Sequence, residues 1–357
     1  MLSFLCQSRR DLESWCRARG FPEVHAATLF RQTYKSLHPR PWEHPGLPRR
    51  LAGLAPDSFS SDAGRIQSFR VSEYDRSVKF LIAFADGTAV ETVLMPEKNR
   101  VTLCLSSQAG CAQGCVFCHT GRMGLQRQLQ PGEIIGQWLL AGRWLQDHPG
   151  WLQDCGLPAG SRISNLVFMG MGEPLDNVDG LSGALAILTD PLGPDLSLRR
   201  IAVSTAGHLP GLREFTSRWP GAALALSLHH PDDVQRSRLM PINRRWPLTD
   251  VLGFLRRHYA GRPRGAWLLV QYTVIAGRND GIPEAEALVE LLRGIPVKVN
   301  LIPLNPVDVL RMKGPQPDRL HAFRDHIHQA GVRVMIRYSK GQDIDAACGQ
   351  LVHQDRF

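Results

Sequence analysis

The sequence predicts an α/β protein built around a parallel β-sheet. The chain has 357 residues, of which 43% are hydrophobic and 21% are charged. A chain of this length and composition can bury a sizeable core, which excludes a disordered protein and a small scaffold. From residue 101 onward, segments typical of strands alternate with segments typical of helices. Repeated strand–helix units form a parallel sheet that is either doubly wound or barrel-like.

The alternating part of the chain contains seven predicted strands. They are residues 101–106, 164–169, 200–204, 222–228, 267–275, 297–302 and 332–337. The helices between them include residues 132–146, 179–189, 247–259, 283–293 and 317–330. Gly294 and Gly331 end the last two of these helices, as glycine commonly does. In a barrel, ligand-binding residues are expected at the C-terminal ends of the strands.

The first hundred residues predict two smaller units. The spacing of apolar residues in 11–19 and 26–37 is typical of helices. Residues 65–100 have the composition of strands, and two apolar runs flank Asp86-Gly87, which predicts a β-hairpin. We therefore expect three units: a helical accessory domain (1–60), a β-hairpin linker or extension (61–100) and the alternating unit with a C-terminal segment (101–357).

Charge and targeting signals narrow the class of protein. Lys and Arg number 42 against 33 Asp and Glu, a net charge of +9. Such a surface favours a phosphate-rich partner, although a basic protein with no nucleic-acid partner is also compatible with charge alone. The chain has no apolar run of the ~18–20 residues that a membrane span needs. The apolar N-terminus is too short for a signal peptide, so we expect a cytoplasmic protein.

The eight cysteines indicate metal or redox chemistry rather than a disulfide framework, because the chain has no export signal. Cys111, Cys115 and Cys118 form a C-x3-C-x2-C loop directly after the first predicted barrel strand. Thiolates at this spacing suit an iron–sulfur cluster or zinc. Three local cysteines would leave one iron of a cubane cluster without a protein ligand, and an open position is typical of a catalytic metal.

Two other sites match the same loop. Cys115-Val-Phe-Cys118-His119 matches the haem-attachment pattern, but the additional Cys111 and the absence of an export signal argue against that interpretation. A structural zinc site formed by the three cysteines and His119 is a second alternative. The loop alone does not decide between zinc and iron–sulfur.

Further segments of the chain carry a resemblance to one family. They are Glu91-Thr-Val93, Pro96-Glu97, Thr102-Leu-Cys-Leu-Ser-Ser-Gln-Ala-Gly-Cys111, Met169-Gly-Met-Gly-Glu-Pro-Leu175, Ser204-Thr205, Ser227-Leu-His229, Asn300-Leu-Ile-Pro-Leu-Asn-Pro306 and Asp343-Ile-Asp-Ala-Ala-Cys-Gly-Gln-Leu351. With the cysteine loop, they closely resemble the RlmN/Cfr family of radical S-adenosylmethionine (SAM) enzymes, which methylate adenine in RNA. The resemblance covers nearly the whole chain. It implies a partial (βα)6 radical SAM barrel with a small N-terminal helical accessory domain and a β-hairpin extension.

The resemblance also implies the cofactors. Cys111, Cys115 and Cys118 would hold one 4Fe-4S cluster, whose open iron binds SAM and whose electron cleaves it to a 5′-deoxyadenosyl radical. Two SAM molecules would be used per turnover, one as methyl donor and one as radical source. A flavodoxin or ferredoxin would supply low-potential electrons to a monomeric enzyme. The residues expected to bind SAM are Gly172, Glu173, Ser204, Ser227, Leu228, His229 and Asn305.

Three further residues would carry the methyl group to the base. Adenine carbons 2 and 8 are electron-poor, so a radical route replaces a polar displacement. By resemblance, Cys348 would accept a methyl group as a thiolate nucleophile, and its methylene radical would then add to adenine. Cys104 would attack the Cys348 sulfur, forming a transient disulfide that releases the base, while Glu91 would accept the ring proton. Carbon 2 is the expected position and carbon 8 the alternative.

The expected substrate is ribosomal and/or transfer RNA. The N-terminal helical unit and the basic surface would hold structured RNA by shape and phosphate contacts, with one adenine extruded. Two rival functions stay open. A radical SAM enzyme of another reaction class would need neither Cys104 nor Cys348. A non-enzymatic, metal-stabilised RNA-binding protein would bind zinc at the three loop cysteines.

Overall fold

A computed structural model describes residues 1–263, 265–305 and 312–352. Pro306, the last residue of one motif, lies outside the described residues. In chain order the strands are β1 (Leu2–Ser3), β2 (Phe59–Ser60), β3 (Arg65–Val71), β4 (Val78–Ala83), β5 (Ala89–Glu97), β6 (Arg100–Cys104), β7 (Gln108–Cys111), β8 (Gly124–Gln128), β9 (Ile163–Phe168), β10 (Ile201–Thr205), β11 (Ala223–Ser227), β12 (Leu268–Val274), β13 (Val297–Pro303) and β14 (Arg333–Ile336).

Twelve α-helices accompany these strands in the part of the chain that the structure describes. They are α1 (Arg9–Arg17), α2 (Val24–Tyr34), α3 (Arg49–Ser58), α4 (His119–Met123), α5 (Pro131–Asp147), α6 (Pro149–Asp154), α7 (Val178–Leu188), α8 (Leu209–Arg218), α9 (Asp233–Leu239), α10 (Leu248–Ala260), α11 (Ile282–Leu291) and α12 (Pro317–Gln329). Short 3-10 helices cover Phe4–Cys6, Pro41–Glu43, Pro174–Asp176, Leu198–Arg200, Pro241–Arg244 and Gln342–Ile344.

A ten-stranded sheet forms the centre of the molecule, in the order β14-β13-β12-β11-β10-β9-β6-β5-β4-β3. Strands β6 and β9 to β13 run parallel, each is followed by a helix, and together they form the partial (βα)6 barrel. Strand β14 adds a seventh parallel strand beside β13. All seven predicted strands and all five predicted helices of this unit are present, with ends within two residues of the prediction.

The barrel strands form where the sequence is continuously apolar. Six of the seven residues of β12 are buried, because helices cover the outer face of a barrel strand and the other strands enclose its inner face. The helices that were not predicted are short or polar. Helix α9 has only seven residues and follows Asp232, whose carboxylate caps it by accepting a hydrogen bond from the Gln235 N–H at 2.8 Å.

The hairpin predicted from Asp86-Gly87 is present as β4 and β5, which pair antiparallel. Strand β3 precedes it, so the extension has three strands, and β5 joins it to β6. The division at residues 60 and 100 stays a prediction. A single hydrophobic core includes side chains of the N-terminal helices, the extension and the barrel, for example Leu12, Phe80 and Leu226.

The N-terminal helices are shifted from their predicted bounds. Helix α1 begins at Arg9 rather than at residue 11, because the Ser8 hydroxyl accepts from the Asp11 N–H at 3.3 Å and the Asp11 carboxylate accepts from the Ser8 N–H at 2.8 Å. Helix α2 ends at Tyr34, before the predicted residue 37. None of the helices described here is long and apolar enough to cross a membrane.

Candidate active site

One cavity lies at the C-terminal ends of the barrel strands. It brings together ten of the thirteen residues singled out from the sequence: Cys111, Cys115, Cys118, Gly172, Glu173, Ser204, Ser227, His229, Asn305 and Cys348. The remaining three, Glu91, Cys104 and Leu228, do not line it. The predicted location at the strand ends therefore holds for most of the set.

The cysteine loop is closed by a small antiparallel hairpin of β7 and β8. Gly110 in this hairpin has φ +75°, and a Cβ there would lie 1.9 Å from the Gly124 carbonyl oxygen, so only glycine fits. Gly114 turns the loop between the first two cysteines with φ +64°. The hairpin and the turn place all three cysteines in the wall of the cavity.

Burial raises the pKa of all three loop thiols, that of Cys111 to about 12. A negative charge on Cys118 raises the pKa of both Cys111 and Cys115 further, which shows that the thiols are electrostatic neighbours. A bound cation reverses this effect, because it stabilises the thiolates. Three soft ligands from one short loop fit an iron–sulfur cluster, in which thiolates bind separate irons.

In the described part of the chain, His119 and other metal-ligating side chains do not join the loop cysteines to form a site for a single metal ion such as zinc. Among residues 1–263, 265–305 and 312–352, no three His, Cys, Asp or Glu side chains lie close enough together to hold a single metal ion. His119 begins α4, and its main-chain N–H donates to the Gly349 carbonyl at 2.7 Å. Its side chain is not part of the cavity lining.

The glycine-rich turn after β9 packs tightly against the first residue of β7. Gly172 has φ +100°, and a Cβ there would lie 2.6 Å from the Gln108 Cβ. The Glu173 N–H donates to the Gln108 side-chain oxygen at 2.7 Å. The absence of a side chain at Gly172 therefore lets the main chain form part of the cavity wall.

Glu173 is the buried acid of the cavity. Its two carboxylate oxygens accept from the Leu175 N–H at 3.2 Å and the Ala206 N–H at 2.7 Å, which connects the ends of β9 and β10. Burial raises the pKa of Glu173 to about 7. An ammonium group of a ligand would lower that pKa, because it stabilises the ionised carboxylate and pairs with it.

Ser204 and Ser227 lie on neighbouring strands, with their hydroxyl oxygens 3.3 Å apart. His229, just beyond β11, has φ +59°, and its Nδ1 accepts from the Thr273 N–H at 2.8 Å. The ring proton is therefore on Nε2, and burial lowers the pKa of His229 to about 3, so the ring is neutral. The side chain of Leu228 lies in the hydrophobic core instead of the cavity.

The C-terminal tail reaches the cavity because it binds to the loops around it. The Asn305 side-chain amide donates to the Cys348 carbonyl at 2.9 Å. The Thr120 hydroxyl donates to the Leu351 carbonyl at 2.5 Å. Gly349 has φ +83°, and the tail at this point lies directly against the cysteine loop. Cys348 is thereby placed beside the loop thiols, and it is exposed.

Cys104 and Glu91 lie behind the cavity, close to the tail. Cys104 is the last residue of β6, and both its burial and the charge of Cys348 raise its pKa to about 12. Glu91 is buried on β5, where its carboxylate lies 2.9 Å from the Lys79 ammonium and accepts from the Val352 N–H at 2.8 Å. Burial raises the pKa of Glu91 in spite of Lys79.

Several residues of the cavity wall were not identified from the sequence. Gln271 interrupts an apolar strand and donates to the Met169 sulfur at 3.1 Å. A polar residue in an otherwise apolar strand is the sequence feature that could have identified Gln271 as part of the cavity wall. Phe117 packs edge-on against His229 with ring centroids 4.8 Å apart, and it occupies a position that the C-x3-C-x2-C pattern leaves unspecified.

Proteins of known family are similar to this chain over most of its length. The dual-specificity RNA methyltransferase RlmN of Desulfotalea psychrophila is 43% identical over 277 residues, which cover 78% of this chain and 75% of the relative. That of Pseudomonas fluorescens is 40% identical over 280 residues, covering 78% and 71%. A radical SAM methyltransferase from Sphaerobacter thermophilus, known from a crystal structure, has a TM-score of 0.89 and 35% identity, covering 98% of this chain and 99% of that one. No family model matches the chain.

These similarities confirm the expected family and the expected barrel. Membership of this family implies a 4Fe-4S cluster and SAM, and the three loop thiols fit such a cluster. The chain belongs to the RlmN family of radical SAM RNA methyltransferases.

Proposed function

We propose that this protein methylates a ring carbon of adenine in ribosomal and/or transfer RNA, at carbon 2 rather than carbon 8, through a methyl group carried on Cys348. The observation that carries the proposal is that Cys348 lines the same cavity as the three loop cysteines, although it lies 230 positions after Cys118 in the chain. Relatives named as RNA methyltransferases support the substrate class. The net charge of +9 supports a partner rich in phosphate.

The cluster is proposed to bind at Cys111, Cys115 and Cys118, and SAM along the strand ends. The Glu173 carboxylate is suited to an ammonium group, since the Leu175 and Ala206 N–H groups that donate to it are neutral and leave its charge unpaired by them. The serine pair, the neutral ring of His229 and the Asn305 amide offer further hydrogen bonds. When bound, the cluster and SAM supply a methyl group for Cys348 and a carbon radical that removes a hydrogen atom from it.

Cys348 is the proposed carrier because it is an exposed thiol at the cavity. Its thiolate displaces the methyl group from a sulfonium, whose electron pair stays on the departing thioether, while the thiol proton leaves to solvent. After a hydrogen atom is removed, the methylene carbon bonds to the adenine ring. The enzyme and the RNA are then joined covalently through this sulfur.

Cys104 and Glu91 are proposed to release the product. Glu91 takes the proton from the substituted ring carbon, and one excess electron leaves to a one-electron acceptor. The Cys104 thiolate attacks the Cys348 sulfur, so that an S–S bond forms and the S–C bond breaks with its electron pair on carbon. That carbon takes a proton and becomes the methyl group. An external dithiol then restores both cysteines.

Mass spectrometry of nucleosides from ribosomal and transfer RNA tests this function. A strain that lacks the protein is expected to lose 2-methyladenosine from one or both RNAs, and the wild-type gene is expected to restore it. The Cys348→Ala gene is the matched control and is expected not to restore it. Loss of 8-methyladenosine instead would correct the ring position, and unchanged RNA would contradict the function. The electron donor, the monomeric state and the cytoplasmic location stay predictions.

A further inference from the structure

Arg236, on α9, is a completely buried arginine behind the cavity wall, with 0% exposure. Its guanidinium donates to the carbonyl oxygens of Ala206 at 2.7 Å, Ser227 at 2.9 Å and Leu228 at 2.9 Å. It also donates to the side-chain oxygen of Asn243. Two of these partners, Ala206 and Ser227, line the cavity. The guanidinium therefore holds together the ends of β10 and β11.

The charge of Arg236 has no close ionic partner in this arrangement. All four acceptors just named are neutral, and no carboxylate oxygen of the described residues lies within 4.0 Å of its nitrogens. Burial lowers the pKa of Arg236 to about 10, which still leaves the group positively charged at neutral pH. A buried charge without an opposite charge is strongly destabilising, so a negative group is expected nearby.

The cysteine loop lies against the helix that carries Arg236, and its thiols carry negative charge once they bind a metal. The main-chain N–H of Val116 donates to the carbonyl of Leu239, the last residue of α9, at 3.0 Å. The residues that follow α9 pack against the same loop in a small hydrophobic cluster. Helix α9 thus fixes the guanidinium beside the loop.

We propose that Arg236 is a positioning residue that sets the reduction potential of the cluster bound at Cys111, Cys115 and Cys118. This inference rests on the cluster assignment in the proposed function. Metal binding deprotonates the thiols, and one-electron reduction adds a further negative charge. A fixed positive charge beside the loop favours the reduced cluster, because cluster potentials depend on the surrounding charge and burial. The low dielectric of the buried site keeps this interaction strong.

Reductive titration of the cluster-loaded protein, followed by electron paramagnetic resonance, measures this effect. Arg236→Gln removes the charge, and we expect its midpoint potential to fall by about 59 mV or more, a tenfold decrease in the one-electron reduction equilibrium. Arg236→Lys keeps the charge and is expected to stay within about twofold of the wild type. Arg238→Gln is the matched control, because it removes an exposed charge from the same helix, and it should leave the potential unchanged.

A loaded Arg236→Gln protein with the wild-type potential would overturn the proposal, as would an equal shift in Arg238→Gln. If Arg236→Gln does not retain the cluster, Arg236→Lys decides alone. A near-wild-type potential in the lysine variant then supports the proposal, and a tenfold or larger decrease overturns it. A wild-type protein that binds no iron would contradict the cluster assignment itself, before any variant is compared.

Discussion

The cysteine loop and the C-terminal tail bring thiols to the same cavity by different means. In the loop, Cys111, Cys115 and Cys118 are neighbours in sequence, and a turn at Gly114 is enough to gather them. In the tail, Cys348 is placed by hydrogen bonds to residues far away in the chain, such as Asn305. The loop is therefore a local feature of the sequence, whereas the position of Cys348 depends on the whole fold.

Removing one thiol from each segment gives the largest expected difference between them. Cys115→Ala should abolish both reductive SAM cleavage and RNA methylation, because the proposed cluster would lose a ligand. Cys348→Ala should abolish only methylation, because its cluster is intact. The measurements are iron content, 5′-deoxyadenosine formed and methyladenosine formed. Cys155→Ala, a cysteine outside the cavity, is the control and should retain all three. Full methylation by Cys348→Ala would contradict the covalent route.

The same contrast explains how much could be predicted from the sequence. The barrel strands and the cysteine loop carry local signals, namely apolar runs and a fixed spacing, and both were predicted. Strand β3 was not predicted as a separate strand of the sheet, because five of its seven residues are exposed and no apolar alternation marks it. The burial of Arg236 has no local signal either, since arginine is ordinarily exposed. Only the resemblance indicated that Cys104, Cys348 and Glu91 act together.

The two sulfurs proposed to form the transient disulfide should differ widely in reactivity. Cys348 is exposed, whereas burial and the charge of Cys348 raise the pKa of Cys104 to about 12. In the reduced, cluster-free protein at pH 8, we expect iodoacetamide to modify Cys104 at least about 100-fold more slowly than Cys348, because only the thiolate reacts. The Cys104 rate should rise about tenfold per pH unit below that pKa. Equal rates, measured by peptide mass spectrometry, would contradict the buried position of Cys104.

Weakening the attachment of the tail should have a smaller effect. Although burial acts against it, hydrogen bonds from the Gly341 and Ser77 N–H groups lower the pKa of Asp75, and the first of them anchors the tail at 2.7 Å. Asp75→Ala should reduce methylation two- to tenfold with SAM cleavage unchanged, since the one hydrogen bond that it makes to Gly341 of the tail contributes about 0.5–1.5 kcal/mol. Asp62→Ala removes a comparable bond to Gly64, within its own loop, and should leave methylation unchanged. If Asp75→Ala lost SAM cleavage as well as methylation, the cysteine loop and the C-terminal tail would not act independently, and this prediction would be wrong.

The most direct test is to stop the reaction after the RNA is attached and before it is released. Cys104→Ala lacks the thiol proposed to attack the Cys348 sulfur, so RNA should remain bound to the protein through that sulfur. Digestion with protease and nuclease, followed by mass spectrometry, should show a Cys348 peptide joined to adenosine by one methylene carbon. Free methylated RNA made by Cys104→Ala at the wild-type rate, with Cys348 unmodified, would contradict the account.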